Sequence, residues 1–112
     1  MSEPISSIRN LGPAFEARCA KAGIPDAETL RSLGADEAYR RVLLAGADPH
    51  FISFYVLVMG LQDRPWNDCK GAEKRALRAR FDAIKAGIAA APERLEARID
   101  AELRMIGVVA AR

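Results

Sequence analysis

Two short corners, each built around a leucine and a glycine, hold the residues of this sequence that best fit anion binding. They read Asn-Leu-Gly-Pro at residues 10–13 and Ser-Leu-Gly-Ala at residues 32–35. Glycine tolerates a positive φ that other residues resist, and the free N–H groups at a helix start attract phosphate or carboxylate. One hypothesis is therefore contact with DNA phosphates without sequence readout. Its residues are Arg9, Asn10, Gly12 and Gly34.

The acidic side chains after the second corner weigh against phosphate binding there. Asp36 and Glu37 follow Gly34 closely, and carboxylates repel phosphate. The alternative for both corners is that their glycines only end and begin helices. The first corner, with Arg9 beside it, is the better candidate for holding an anion.

A row of basic side chains is the second candidate site. Lys70, Lys74 and Arg78 recur at intervals of four, which places them along one side of a helix. Such a row can follow a phosphate backbone or the acidic surface of a partner. No aromatic residue is interleaved for stacking on bases, so the alternative is an ordinary solvated face.

Trp66 and the two cysteines also have distinctive chemistry. We predict that Trp66 is a buried structural anchor after the turn at residues 62–65, with an interface contact as the alternative. Cys19 falls on the apolar side of a predicted helix and is expected to be buried and inert. Cys69 stands beside Lys70 near a predicted helix start, where its pKa would be lowered.

Signatures of catalysis are missing from the sequence. It contains no phosphate loop, no nucleophile elbow and no metal-binding spacing of cysteine and histidine. The single histidine, His50, has no nucleophile or carboxylate at a spacing that demands a triad. We therefore expect a protein that is not an enzyme and that uses no metal or cofactor.

Composition indicates one small folded domain. Half of the 112 residues are hydrophobic and the net charge is only +2. Residues 1–66 have seven basic and eight acidic side chains (net −1), whereas residues 67–112 have ten and seven (net +3). The chain starts without the features of a signal peptide, and its most apolar segment is about half the ~20 residues of a membrane helix. We expect a cytoplasmic protein that does not contact membranes.

The spacing of apolar residues predicts an all-α fold, a compact bundle of about five to six helices. Caps, prolines and glycines predict the first three helices at residues 13–23, 26–34 and 35–46. A fourth helix opens at Asp48-Pro49. Its body is apolar on nearly every side and must lie centrally, although its aromatic and β-branched residues leave a strand as the alternative.

A long amphipathic helix is predicted from about residue 67 to about residue 90, followed by a break at Pro92. A last helix has an apolar stripe that must be covered, either by the preceding helix or by a second copy in a homodimer. The stripe consists of Leu95, Ile99, Leu103 and Ile106.

The segment from Arg9 to Arg41 carries the most specific pattern of the chain. It runs Asn-Leu-Gly-Pro, helix, Ala-Gly-Ile-Pro, helix, Leu-Gly-Ala-Asp-Glu-Ala-Tyr, helix. With the later turn Gly60–Asp68, which contains a Trp-Asn pair, it resembles the C-terminal domain of the TfoX (Sxy) competence regulators. The resemblance covers residues 5–80, and residues 81–112 look like a C-terminal helical extension.

This resemblance implies a small helical unit with helix-hairpin-helix-like features in its N-terminal part. Full-length regulators also have an N-terminal domain, for which this chain has no room, so we expect a stand-alone member. The leading hypothesis is a non-catalytic domain that binds an unidentified protein partner, linked to transcriptional regulation. The alternative is a DNA-binding module that uses the glycine corners and the basic row without sequence preference.

Overall fold

A computed structural model describes residues 2–89, and in that part of the chain all regular structure is helical. The predicted all-α fold is thereby confirmed. The final predicted helix, with Leu95, Ile99, Leu103 and Ile106, lies outside the described residues, as does Pro92. The helices are α1 (Pro13–Lys21), α2 (Ala27–Leu33), α3 (Ala35–Leu44), α4 (Phe51–Leu61) and α5 (Gly71–Ala89), with 3₁₀ turns at Ile5–Ser7 and Trp66–Asp68.

The first three helices begin where the sequence predicts. Pro13 is the first residue of α1, where its missing N–H costs nothing. The Asp26 carboxylate accepts the backbone N–H of Thr29 at 2.8 Å and so caps α2. Gly34 ends α2 and precedes α3 directly.

The fourth and fifth helices begin later than predicted. The backbone N–H and carbonyl of His50 both bind the Tyr39 hydroxyl, at 3.0 and 3.1 Å. This holds His50 in an extended conformation, so α4 begins at Phe51 and not at Pro49. Residues 66–68 form a 3₁₀ turn and Cys69 is extended, which delays the start of α5 to Gly71.

Helix α4 lies at the centre of the core, as its apolar sequence predicts. Phe54, Leu57 and Met59 are completely buried, and the strand alternative for this segment is wrong. The ring centroid of Tyr39 on α3 lies 5.2 Å from that of Phe54, and the centroid of Phe81 on α5 lies 6.2 Å from it. The boundary predicted after residue 80 falls inside α5, whose Phe81 belongs to this core.

Between residues 2 and 89, no helix has both the length and the apolar content that crossing a bilayer requires.

The loop before α1 packs tightly against α4 at Gly60. A Cβ atom built at this position would overlap the backbone carbonyl oxygen of Arg9 and would also touch the side chain of Ile8. Backbone atoms cannot move aside as the end of a long side chain can. Gly60 is therefore required by the packing of the first corner on α4.

We predict that Gly60→Ala lowers the free energy of unfolding by about 1–3 kcal/mol, the usual cost of overpacking. The measurement is chemical denaturation followed by circular dichroism. Gly87→Ala is the matched control, because Gly87 lies inside α5 with open space around its Cβ position. That change should stabilise the protein by about 0.5–1 kcal/mol. A Gly60→Ala variant as stable as the parent would show that this contact does not constrain the fold.

Candidate functional site

The first corner takes its left-handed turn at Asn10 and not at its glycine. Asn10 has a φ of 72°, whereas Gly12 is extended with a φ of −119°. Gly12 therefore does not adopt the positive φ that glycine permits. Asparagine takes the left-handed conformation because it tolerates it better than most residues. Its side-chain amide donates to the carbonyl oxygen of Arg64 at 2.8 Å. Asn10 thus holds two parts of the fold together, while the neighbouring Arg9 is exposed.

The second corner makes use of the positive φ that glycine permits. Gly34 has a φ of 82° and a ψ of 166°, a combination that is essentially restricted to glycine. Its N–H donates to the carbonyl of Leu30 at the end of α2, and its carbonyl accepts the N–H of Ala38 in the first turn of α3, both at 3.0 Å. Gly34 therefore forms the junction between two consecutive helices.

The carboxylates after Gly34 are paired with arginines. Asp36 forms an ion pair with Arg80 of α5. Glu37 binds Arg40 and Arg41, each at 2.7 Å, and these hydrogen bonds lower its pKa to about 2. The repulsion expected from the sequence is therefore largely offset around this corner.

A cavity of about 330 Å³ opens beside the second corner, between α2, the start of α3, α4 and α5. Its lining includes Arg31 of α2 and Gly34 at the corner. Leu61 at the end of α4, the adjacent Gln62 and Arg80 of α5 also line it. Of the predicted site residues, only Gly34 contributes to it. The sequence gives no signal for it, because Arg31 and Arg80 are separated by almost fifty residues.

The basic row rests on aromatic rings. Lys74 Nζ lies 5.0 Å from the ring centroid of Tyr55, and the Arg78 guanidinium carbon lies 5.2 Å from that of Phe51. Lys70 precedes α5. Arg78 also pairs with Asp82 at 3.2 Å. The tertiary structure thus supplies the aromatic neighbours that the sequence of this helix lacks, but the cations themselves cover them.

Trp66 is not a buried anchor, and that prediction is wrong. Its side chain is 49% exposed, on the 3₁₀ turn between α4 and α5. The turn is fixed instead by Arg64, which binds both carboxylate oxygens of Glu73 and one oxygen of Asp68, all at 2.7 Å. Because this clamp and the burial of Cys69 hold the turn, the indole ring is left at the surface.

Both cysteines are buried, as predicted for Cys19 alone. Burial raises the pKa of the Cys19 thiol to about 11. Burial also raises the pKa of Cys69, with Glu73 adding to the effect, and the opposing charge of Lys74 is too weak to reverse it. The expected lowering of the Cys69 pKa is therefore wrong, because desolvation outweighs the nearby cations.

Over the described range 2–89, no three side chains of His, Cys, Asp or Glu meet in an arrangement that could hold a metal ion.

We predict that neither thiol reacts readily in the folded protein. At pH 8 in native buffer, an aromatic disulfide reagent should modify both cysteines about tenfold or more slowly than it modifies free cysteine. In denaturant both thiols should react at about the rate of free cysteine. Mass spectrometry of the labelled peptides assigns each site. Rapid native labelling of Cys69 would mean that its thiol is accessible and ionised.

Comparison with known proteins identifies a family. No curated protein and no solved structure matches the sequence significantly. A family model described as the TfoX C-terminal domain matches residues 1–81, well over half of the chain. The match includes both glycine corners, α1 to α4 and the first part of α5, and it confirms the resemblance drawn from the sequence motifs. The chain belongs to the TfoX C-terminal domain family.

Proposed function

We propose that this chain is a non-catalytic interaction domain that acts by binding a protein partner. The observation that carries the proposal is Trp66, a large aromatic side chain left half exposed on a turn that is otherwise tightly fixed. Tryptophan is enriched among the residues that dominate binding energy at protein interfaces. The proposed link to transcriptional regulation rests on the resemblance to competence regulators.

The turn that carries Trp66 is suited to presenting it. Arg64 contacts Glu73 through two parallel hydrogen bonds, a geometry that restricts the orientation of both groups. The carbonyl of Arg64 also accepts the Asn10 amide. A partner that covers the indole therefore meets a surface that is already ordered, which reduces the entropy lost on binding.

We predict that Trp66→Ala abolishes the capture of a specific partner without unfolding the domain. The tagged full chain and the variant are expressed in the native host, and co-purifying proteins are quantified by mass spectrometry. Ile52→Ala is the matched control, because Ile52 is the other large exposed hydrophobic residue among those described, at 51%. A partner enriched about tenfold or more should be lost with Trp66→Ala and retained with Ile52→Ala.

Thermal unfolding of both variants provides the stability control, and both midpoints should stay close to that of the parent because the two side chains are exposed. Retention of every enriched protein by Trp66→Ala would contradict the proposed role of Trp66. Turnover of a substrate by the purified chain would contradict the non-catalytic function.

A second candidate function is binding of nucleic acid through the basic side of α5. Lys70 and Lys74 of the basic row are exposed and form no ion pair with any residue between 2 and 89, whereas Arg78 is paired with Asp82. The contact of Lys74 with Tyr55 holds one of these charges at a defined place on the surface. Such a row supports phosphate contacts, whose contribution falls with added salt.

For this candidate we predict that the double variant Lys74→Gln, Arg78→Gln weakens binding to double-stranded DNA. The slope of the logarithm of the binding constant against the logarithm of the salt concentration should also become less steep, by about one per lost phosphate contact. The measurement is fluorescence anisotropy over a salt series. The control, Arg18→Gln with Lys21→Gln, removes the same charge from exposed positions of α1. Equal effects of the two double variants, or no binding of the parent at low salt, would exclude a site on α5.

A further inference from the structure

The cavity beside the second corner combines donors with an apolar wall. Arg31, Gln62 and Arg80 are its long polar side chains, and Ala35, Val58 and Leu61 provide the apolar part. Its volume of about 330 Å³ lies at the lower end of the ~300–1,000 Å³ typical of ligand pockets. A cavity of this size fits a small amphipathic group.

The polar side chains of the cavity retain donors. Arg80 uses Nε and Nη2 for Asp36, and its Nη1 has no partner within residues 2–89. Gln62 accepts a hydrogen bond from Arg64 through Oε1 at 2.7 Å, so the part of its amide that remains is the donating NH₂ group. Arg31 is exposed and forms no ion pair inside the described range.

The charges around the cavity favour an anion. Arg31 and Arg80 carry two positive charges, and Asp36, which binds Arg80, carries one negative charge. A carboxylate balances the remaining charge and accepts hydrogen bonds from guanidinium groups in a favourable geometry. A short aliphatic group on the same ligand would gain by burial against Val58 and Leu61.

We infer that this cavity binds the C-terminal residue of a partner protein, through its free carboxylate and an aliphatic side chain. The last residue of a chain carries both groups on one carbon atom, so both reach adjacent parts of a small cavity. Capture of a terminal carboxylate is a recurring way in which domains recognise peptides. The inference rests on the proposed interaction function and names the part of the partner that is bound.

The first test compares two dipeptides, acetyl-Leu-Leu with a free carboxylate and the same dipeptide as a C-terminal amide. Each is titrated into the ¹⁵N-labelled full chain while backbone amide signals are followed. The acid should shift the signals of Gly34, Ala35 and Gln62 in a saturable manner, with an affinity about tenfold or more above that of the amide. Equal affinities, or no shift with either compound, would overturn the inference.

Variants and a free acid complete the test. Arg31→Gln should weaken binding of the dipeptide acid about tenfold, whereas the control Arg75→Gln removes an arginine that does not line the cavity and should leave binding unchanged. Unchanged binding by Arg31→Gln together with weakened binding by Arg75→Gln would overturn the assignment. 4-Methylpentanoate supplies a carboxylate and an aliphatic group without a peptide, and binding as tight as that of the dipeptide would indicate a site for small acids instead.

Failure of this inference is distinguishable from failure of the proposed function. Trp66 does not line the cavity, so the capture experiment with Trp66→Ala does not depend on the dipeptide titration. A partner that needs Trp66, together with dipeptides that do not bind, would overturn the cavity assignment alone.

Discussion

The backbone before α1 lies directly against α4, and this contact is possible only because residue 60 has no side chain. The close approach places Asn10 within reach of the Arg64 carbonyl, to which its amide donates. Arg64 in turn binds Glu73 in the first turn of α5. One steric constraint on α4 therefore positions the first corner, the turn before α5 and the start of α5. The surface around Trp66 depends on the same chain of contacts.

Ion pairs between helices change what the charge pattern means. In the sequence, Asp36 is an acid close to Gly34 that would repel phosphate from the second corner. In the fold, Asp36 forms an ion pair with Arg80 of α5 and so offsets part of the positive charge of Arg80. Within α5, a local ion pair joins Arg78, one of the three residues of the basic row, to Asp82. These exposed pairs contribute little stability individually, but they decide which cations remain for a partner. The cationic character of the cavity and of α5 follows from this selection.

The sequence predicted best those features that depend on local interactions. The cap at Asp26 and the proline at the start of α1 act within a few residues, so their effect on the backbone is visible in the sequence. Predictions that needed a distant partner were less successful. The start of α4 depends on the Tyr39 hydroxyl, eleven residues away. The exposure of Trp66 and the burial of Cys69, three residues apart, depend on which of the two side chains the Arg64 turn directs inwards.

The sequence by itself determined the all-α class, the central place of α4, the junction of α2 and α3 at Gly34 and the family, because periodicity, caps and motif spacing are properties of neighbouring residues. Tertiary structure alone decided that Asn10 ties two loops together, that the basic row rests on Tyr55 and Phe51, and that Arg31 and Arg80 meet at one cavity. Each of these outcomes joins residues from separate loops or helices. Their proximity follows from the packing of helices on one another, which no local pattern encodes.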